Sequence, residues 1–277
     1  MLLHIYQHLP EHIDPIAFHL GPIAVSWYGL MYAVGFAILY FLARRRIRTE
    51  KIGIPLETVQ DFFPWMVIGL LLGGRLGDVF IYDWDYFHLH PSEIFLPFNI
   101  HNHWQYIGIY GMSYFGGVAG VAIAFLLFCR IKKISLFRFT DLFAPAIPLA
   151  YAFGRLGNFI NGELYGRATS RPWGMYFPAD FTHQLRHPSQ VYELFLEGLV
   201  LFAILWPVRK FNWPPGYLAA FYLIGYGLAR FTAEFFRQPD NDWFFLSLTL
   251  GQWLSIGIII LAFLIIYSQN PKNRKNA

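Results

Sequence analysis

Seven apolar windows, each long enough or nearly so to cross a bilayer as a helix of about 20 residues, govern what this chain can fold into. They lie near 23–43, 62–82, 108–129, 142–161, 190–208, 216–236 and 249–268, the fourth and sixth being the least purely apolar. Only 14% of the 277 residues are charged, against 56% hydrophobic. A soluble domain carries about 25% charged residues, so the balance predicts an all-α integral membrane protein. A single transmembrane helical domain over 1–277 is expected, with seven crossings.

The basic residues predict its orientation, because cytoplasmic loops collect Lys and Arg. Arg44, Arg45, Arg46, Arg48 and Lys51 follow the first window; Arg130, Lys132, Lys133 and Arg138 follow the third. Arg209 and Lys210 follow the fifth, and Lys272, Arg274 and Lys275 the seventh. Fourteen of the 21 basic residues therefore fall on one side. The N-terminus is expected outside and the C-terminus in the cytoplasm. No basic segment precedes an apolar core at the start, so no cleaved signal peptide is expected.

Several function classes drop out. Basic and aromatic residues do not alternate as in a nucleic-acid binder. The single Cys129 rules out an internal disulfide and reads as a small buried hydrophobe. All ten histidines fall at or beyond the outer edge, but pairs such as His88/His90 and His101/His103 lack the pattern of a metal site. No metal or cofactor is predicted. Trp27, Trp65, Trp104, Trp173, Trp206 and Trp243 sit near window ends, as interfacial aromatics do. The outer loop at about 162–189 is rich in Gly, Pro and aromatics, and loops beyond about 12–15 residues are often functional.

With that topology, ionisable groups inside the membrane all lie in the outer half. The cations are Arg75, Arg155, Arg230 and Arg237; the anions are Asp78, Glu163, Glu193, Glu197 and Glu234. A conduit needs polar groups at the midplane or through the full thickness. This distribution instead predicts a blind chamber open to the outer leaflet, whose arginines suit an anionic phospholipid headgroup. Arg75 with Asp78, and Glu193 or Glu197, are equally compatible with ion pairs that hold helices together.

The stretch Gly154-Arg155-Leu156-Gly157-Asn158-Phe159-Ile160-Asn161-Gly162-Glu163 closely resembles the signature of the prolipoprotein diacylglyceryl transferases, bacterial inner-membrane enzymes. SWYGLMY, LGGRLGDV, GMSYFGG, RHPSQVYELFLEG and GYGLARFTAEFFRQPD extend the resemblance, in order, over nearly the whole chain. It implies a multi-pass inner-membrane enzyme whose active site faces the outer leaflet. Its lipid substrate would be phosphatidylglycerol, and its protein substrate a prolipoprotein signal peptide with a lipobox cysteine. A thioether forms and glycerol phosphate leaves.

Under that resemblance, Arg155 and Arg230 would take the phosphate, supported by Arg237. Asn158, Asn161 and Glu163 would hold the headgroup glycerol, with Gly166 and Tyr226 completing the substrate contacts. Tyr28, His187 and Glu234 are candidates for orienting or deprotonating the thiol. The chain departs from the family at Phe115, where many members carry a histidine considered as a base. That departure leaves open a second reading, a weakened paralogue that binds anionic membrane lipid without chemistry.

Overall fold

The computed structural model describes residues 1–21, 23–50, 52–96, 98–99, 105–106, 111–239 and 243–274. In chain order the main elements are α1 (Leu2–Gln7), the hairpin β1 (Ile16–Leu20) and β2 (Ile23–Ser26), and α2 (Trp27–Thr49). There follow α3 (Leu56–Ile81), α4 (Tyr114–Ile131), α5 (Leu136–Phe143) and α6 (Ile147–Ile160). The last three are α7 (Ser189–Val208), α8 (Tyr217–Ala233) and α9 (Leu250–Gln269). Helix thus occupies each apolar window. By length and composition α2, α3, α7 and α9 are long and apolar enough to cross a membrane, and Phe115–Ile131 is a shorter apolar helix. Phe41, Ile68, Leu126, Ile204, Leu228 and Phe263 are all exposed on helices, a surface that belongs in lipid rather than water. Trp104 and the His101/His103 pair lie outside the described residues.

The first and fourth windows differ from expectation in ways their local sequence explains. The first helix begins at Trp27 rather than Ile23, because residues 23–26 pair antiparallel with β1 and Ser26 then caps the helix by accepting from Gly29 N at 3.2 Å. The fourth window is not one helix. It breaks between Phe143 and Ile147, where Pro145 and Pro148 lack the N–H groups that a continuous ladder needs.

The described chain forms two compact units, Met1–Ile52 with Thr140–Ala277, and Gly53–Phe139. In the second, α3 and α4 meet through glycines at helical spacing. A Cβ on Gly77 would lie 2.6 Å from Gly116 Cα, and one on Gly73 would lie 2.7 Å from Gly120 Cα, so only glycine permits this approach. Ser113 caps α4, accepting from Gly116 N at 3.1 Å. Arg75 is structural here: its Nε and Nη2 donate to the carbonyls of Ile94 (2.6 Å) and Glu93 (2.7 Å), fastening the segment that follows α3. Asp78 lies 3.5 Å from Arg75 Nη1 on the same helix, an ion pair within α3 rather than a tie between helices. Phe115 projects from α4, 62% exposed.

In the first unit α2 runs antiparallel to α6, since a Cβ on Gly157 would touch Tyr28 (3.0 Å) and one on Gly35 would touch the Ala150 carbonyl (3.0 Å). The start of α8 is held by Asp141, which accepts from Gly216 N at 2.6 Å and Ala219 N at 2.8 Å. Burial pushes that carboxyl up to about 6 despite those bonds. A capping box, Thr249 with Gln252, starts α9.

The outer loop packs as a small head on α1. Tyr6 donates to the Trp173 carbonyl at 3.0 Å, Gln7 Nε2 donates to that of Pro172 at 3.1 Å, and Phe159, Met175 and Phe177 form its core. Asp180 accepts from Arg186 Nε (2.7 Å) and Nη2 (3.0 Å), which holds its carboxyl far below the ordinary range.

Candidate active site

The site begins with how α6 ends. Gly162 adopts φ +68°, its N–H donates to the Phe159 carbonyl (3.0 Å), and the Glu163 N–H donates to that of Asn158 (3.1 Å). This is the glycine-terminated helix stop that satisfies the last carbonyls, and it needs a left-handed residue. It also folds Glu163 back onto the helix, where Glu163 Oε1 accepts from Asn158 Nδ2 at 2.8 Å. Gln190, fully buried at the start of α7, donates to the Glu163 carbonyl at 2.6 Å and locks the turn.

Arg155 sits one turn before this stop. Its Nη1 donates to Asn158 Oδ1 (3.2 Å) and its Nε to the Tyr151 hydroxyl (2.6 Å), which in turn donates to Glu197. Arg155 Nε is also 2.7 Å from Glu193 Oε2. Its single hydrogen is spent on Tyr151, so the contact with Glu193 is charge attraction, and among the described residues that carboxylate oxygen has no hydrogen-bond donor.

Arg230 arrives from α8. Its Nη1 donates to Glu193 Oε1 at 3.0 Å and its Nη2 to Glu234 Oε2 at 2.8 Å. Glu197 Oε1 is 4.0 Å from Arg230 Nη1. Arg237 closes the group, 3.7 Å from Glu193 and 4.0 Å from Glu234. Thr249, the cap of α9, donates to Glu234 Oε1 at 3.1 Å.

Glu193 and Glu197, respectively 1% and 0% exposed, are the hub. Removing such carboxylates from water is costly unless they are paired, and two arginines from different helices pair them here. The backbone between and beyond them, Leu194–Val200, winds as π-helix, a form that concentrates at functional sites. Gly198 lets that segment touch α6, since a Cβ there would lie 2.7 Å from Ala152 Cβ.

The structure therefore brings together Arg155, Asn158, Glu163, Arg230, Glu234 and Arg237. Tyr226 joins through Tyr151, edge-on at 5.9 Å. Asn161 caps α6 with its amide half-exposed, and among the described residues no side-chain hydrogen bond holds it. Gly166 bridges to Arg237 in an antiparallel pair; a Cβ there would collide with the Phe236 carbonyl and lie 2.7 Å from that of His187. Tyr28 and His187 stay off the ion cluster. Tyr28 bonds Tyr32 hydroxyl to hydroxyl at 3.0 Å. His187 Nδ1 is hydrogen-bonded to Tyr192 at 3.0 Å, and burial, then Arg171, lowers its pKa.

Sequence reasoning missed Tyr151 and gave Glu193 and Glu197 no assigned role in the site. The signal was helical spacing: Tyr151 lies four residues before Arg155, and Glu193 four before Glu197, so each pair shares a face.

The family model for prolipoprotein diacylglyceryl transferase matches residues 15–268, which include every residue of the cluster. The chain belongs to that family. Relatives named phosphatidylglycerol–prolipoprotein diacylglyceryl transferase are similar along nearly their whole length. The one from Chlorobaculum tepidum is 49% identical over 265 residues, covering 92% of each chain. That from Bordetella parapertussis is 45% identical over 266 residues, 95% of this chain and 98% of its own. That from Aliarcobacter butzleri is 44% identical over 259 residues, 93% and 92%. Family membership thus spans the head, the helix stop and all helices that carry the buried ions.

Proposed function

We propose that this transferase moves the diacylglyceryl group of phosphatidylglycerol onto the lipobox cysteine of a prolipoprotein, in the inner membrane, from an active site open to the outer leaflet. The orientation rests on the basic residues after alternate windows: seven crossings, N-terminus periplasmic, C-terminus cytoplasmic. Phosphatidylglycerol and the prolipoprotein rest on the relatives' names, and the lipobox cysteine on the resemblance of the sequence motifs.

The observation that carries the mechanism is the meeting of Arg155 and Arg230 on one carboxylate, Glu193. In the reaction the cysteine sulfur attacks the glyceryl carbon of the diacylglyceryl group. The carbon–oxygen bond to phosphate breaks, a thioether forms, and glycerol phosphate leaves with the bonding electron pair. Charge therefore builds on the phosphate, and fixed guanidinium groups in a low-dielectric site stabilise it. Arg155 and Arg230 take this role, with Arg237 behind them. Glu193, Glu197 and Glu234 keep the arginines in place before substrate arrives, so little reorganisation is needed when charge develops.

Asn158, Asn161 and Glu163, on and just after the helix stop, hold the headgroup glycerol, with Gly166 and Tyr226 at the edge. The thiol has an ordinary pKa near 8.5, so its proton must be drawn off or its thiolate favoured. Tyr28, His187 and Glu234 are the groups assigned to orient or deprotonate it. Purified protein incubated with phosphatidylglycerol and a lipobox peptide tests this: the peptide should gain the mass of one diacylglyceryl group on its cysteine. An unmodified peptide under conditions where a characterised relative is active would overturn the assignment.

A further inference from the structure

The last two turns of α2 carry four arginines, and the helix sorts them by face. Arg46 turns inward: its Nη1 donates to the carbonyls of Asp141 (2.5 Å) and Leu142 (2.8 Å), and its Nε pairs with Glu50 Oε2 at 2.8 Å. The other Glu50 oxygen is taken by Arg209 Nε, also at 2.8 Å. Both oxygens of that carboxylate are thus used. Arg44, Arg45 and Arg48 recur at helical spacing on another face, and among the described residues none of them pairs with a carboxylate.

Three further features mark this face. With Phe41 and Thr49 the three arginines line a shallow cavity of about 350 Å³. Arg44 Nε is buried, and among the described residues it has no hydrogen-bond partner. Arg209 lies in the same field; burial, opposed by Glu50, and then Arg46 and Arg45 pull its pKa below the ordinary arginine value. Like charges a turn apart repel, so an anion bound against this end of α2 would relieve them. Phe41, 59% exposed one turn deeper, offers an apolar contact continuous with the charges.

Distance separates this face from the reaction. Tyr28 packs on Gly157 at one end of α2, while Arg46 holds Asp141 and Leu142 at the other. Sixteen residues of helix between Tyr28 and Arg44 span about 24 Å. We propose that Phe41, Arg44, Arg45 and Arg48 bind the phosphate of an anionic phospholipid in the leaflet opposite the active site, as a lipid-binding site apart from the substrate pocket. Naming that leaflet cytoplasmic rests on the orientation proposed above; the site itself does not.

Detergent-purified full-length protein, titrated with phosphatidic acid or phosphatidylcholine and followed by native mass spectrometry, tests this. The R44Q/R45Q/R48Q variant should lose one phosphatidic acid, its affinity at that site falling about 100-fold, each basic side chain near an anionic surface contributing about a factor of five. R44K/R45K/R48K should retain it, phosphatidylcholine should not distinguish the variants, and inorganic phosphate should not displace the lipid. Transfer to a lipobox peptide should be unchanged in the glutamine variant, which separates this site from the reaction. Undiminished phosphatidic acid binding, an equal loss of phosphatidylcholine, displacement by inorganic phosphate, or lost transfer with lipid still bound would each overturn the proposal. If the triple variant does not fold, R45Q/R48Q, both on exposed side chains, should still weaken binding about 25-fold, and its failure to do so is equally decisive.

Discussion

Glu193 Oε1 accepts a hydrogen bond of 3.0 Å from Arg230 Nη1, and through its other oxygen the same carboxylate stands 2.7 Å from Arg155 Nε. Helices α6 and α8 are thereby joined through a group on α7. The guanidinium groups offered to a phosphate are held before it arrives, and their spacing is set by one side chain.

Removing Arg155 should abolish transfer. Arg155→Ala deletes the contacts to Tyr151, Glu193 and Asn158 at once and leaves Glu193 with half its compensation. A loss of at least 100-fold in kcat is expected, the scale of a lost oxyanion-type contact, read from peptide modification by mass spectrometry. Arg155→Lys should not restore it, because one ammonium cannot reproduce a planar fork.

Glu193 should separate stability from activity. Glu193→Ala leaves two guanidiniums facing each other and should destabilise the protein by about 3–5 kcal/mol, the usual result of breaking a buried pair. Thermal unfolding in detergent would record it. Glu193→Gln keeps the shape and an acceptor, so it should fold but lower kcat more than it raises KM. Equal melting temperatures for wild type and Glu193→Ala would contradict the hub role.

Phe115→His should be tolerated, with transfer within a few-fold of wild type, as judged by the same peptide assay. The buried ions and helix-stop residues assigned to the reaction are present without it, and phenylalanine moves no proton. A gain of 100-fold on introducing the histidine would show that this chain is a weakened enzyme.

Gly166→Ala should impair both fold and transfer. A methyl group would collide with the Phe236 carbonyl and crowd that of His187, disturbing the bridge to Arg237. Overpacking of this kind costs about 1–3 kcal/mol, so a lower melting temperature should accompany reduced activity.

The head should loosen in acid. The Arg186 hydrogen bonds hold Asp180 below its ordinary value of 3.8, outweighing its burial. A carboxyl depressed in the folded state stabilises it above that ordinary value and loses the contribution as pH falls below it. Proteolysis between Tyr165 and Arg186 should therefore accelerate below about pH 4, and Asp180→Asn should make the loop susceptible already at neutral pH.

The apolar windows, the arginine-bearing signature and the family resemblance were legible in the sequence, because lipid imposes long apolar helices and tolerates ionisable groups inside them only for a reason. Helical spacing alone already put Arg155 beside Asn158. The sequence could not tell which carboxylates would meet which arginines. Glu193 and Glu197 looked the same as Asp78 on the page: a buried acid on an apolar helix. Only packing distinguished them, since Asp78 meets Arg75 of its own helix while Glu193 reaches arginines on two others. The break after Phe143, the π-turn of α7 and the sorting of the α2 arginines by face were likewise decided in three dimensions. Hydropathy and spacing are properties of one helix; pairing a buried charge depends on what a second helix presents to it, and that is settled only when the helices pack.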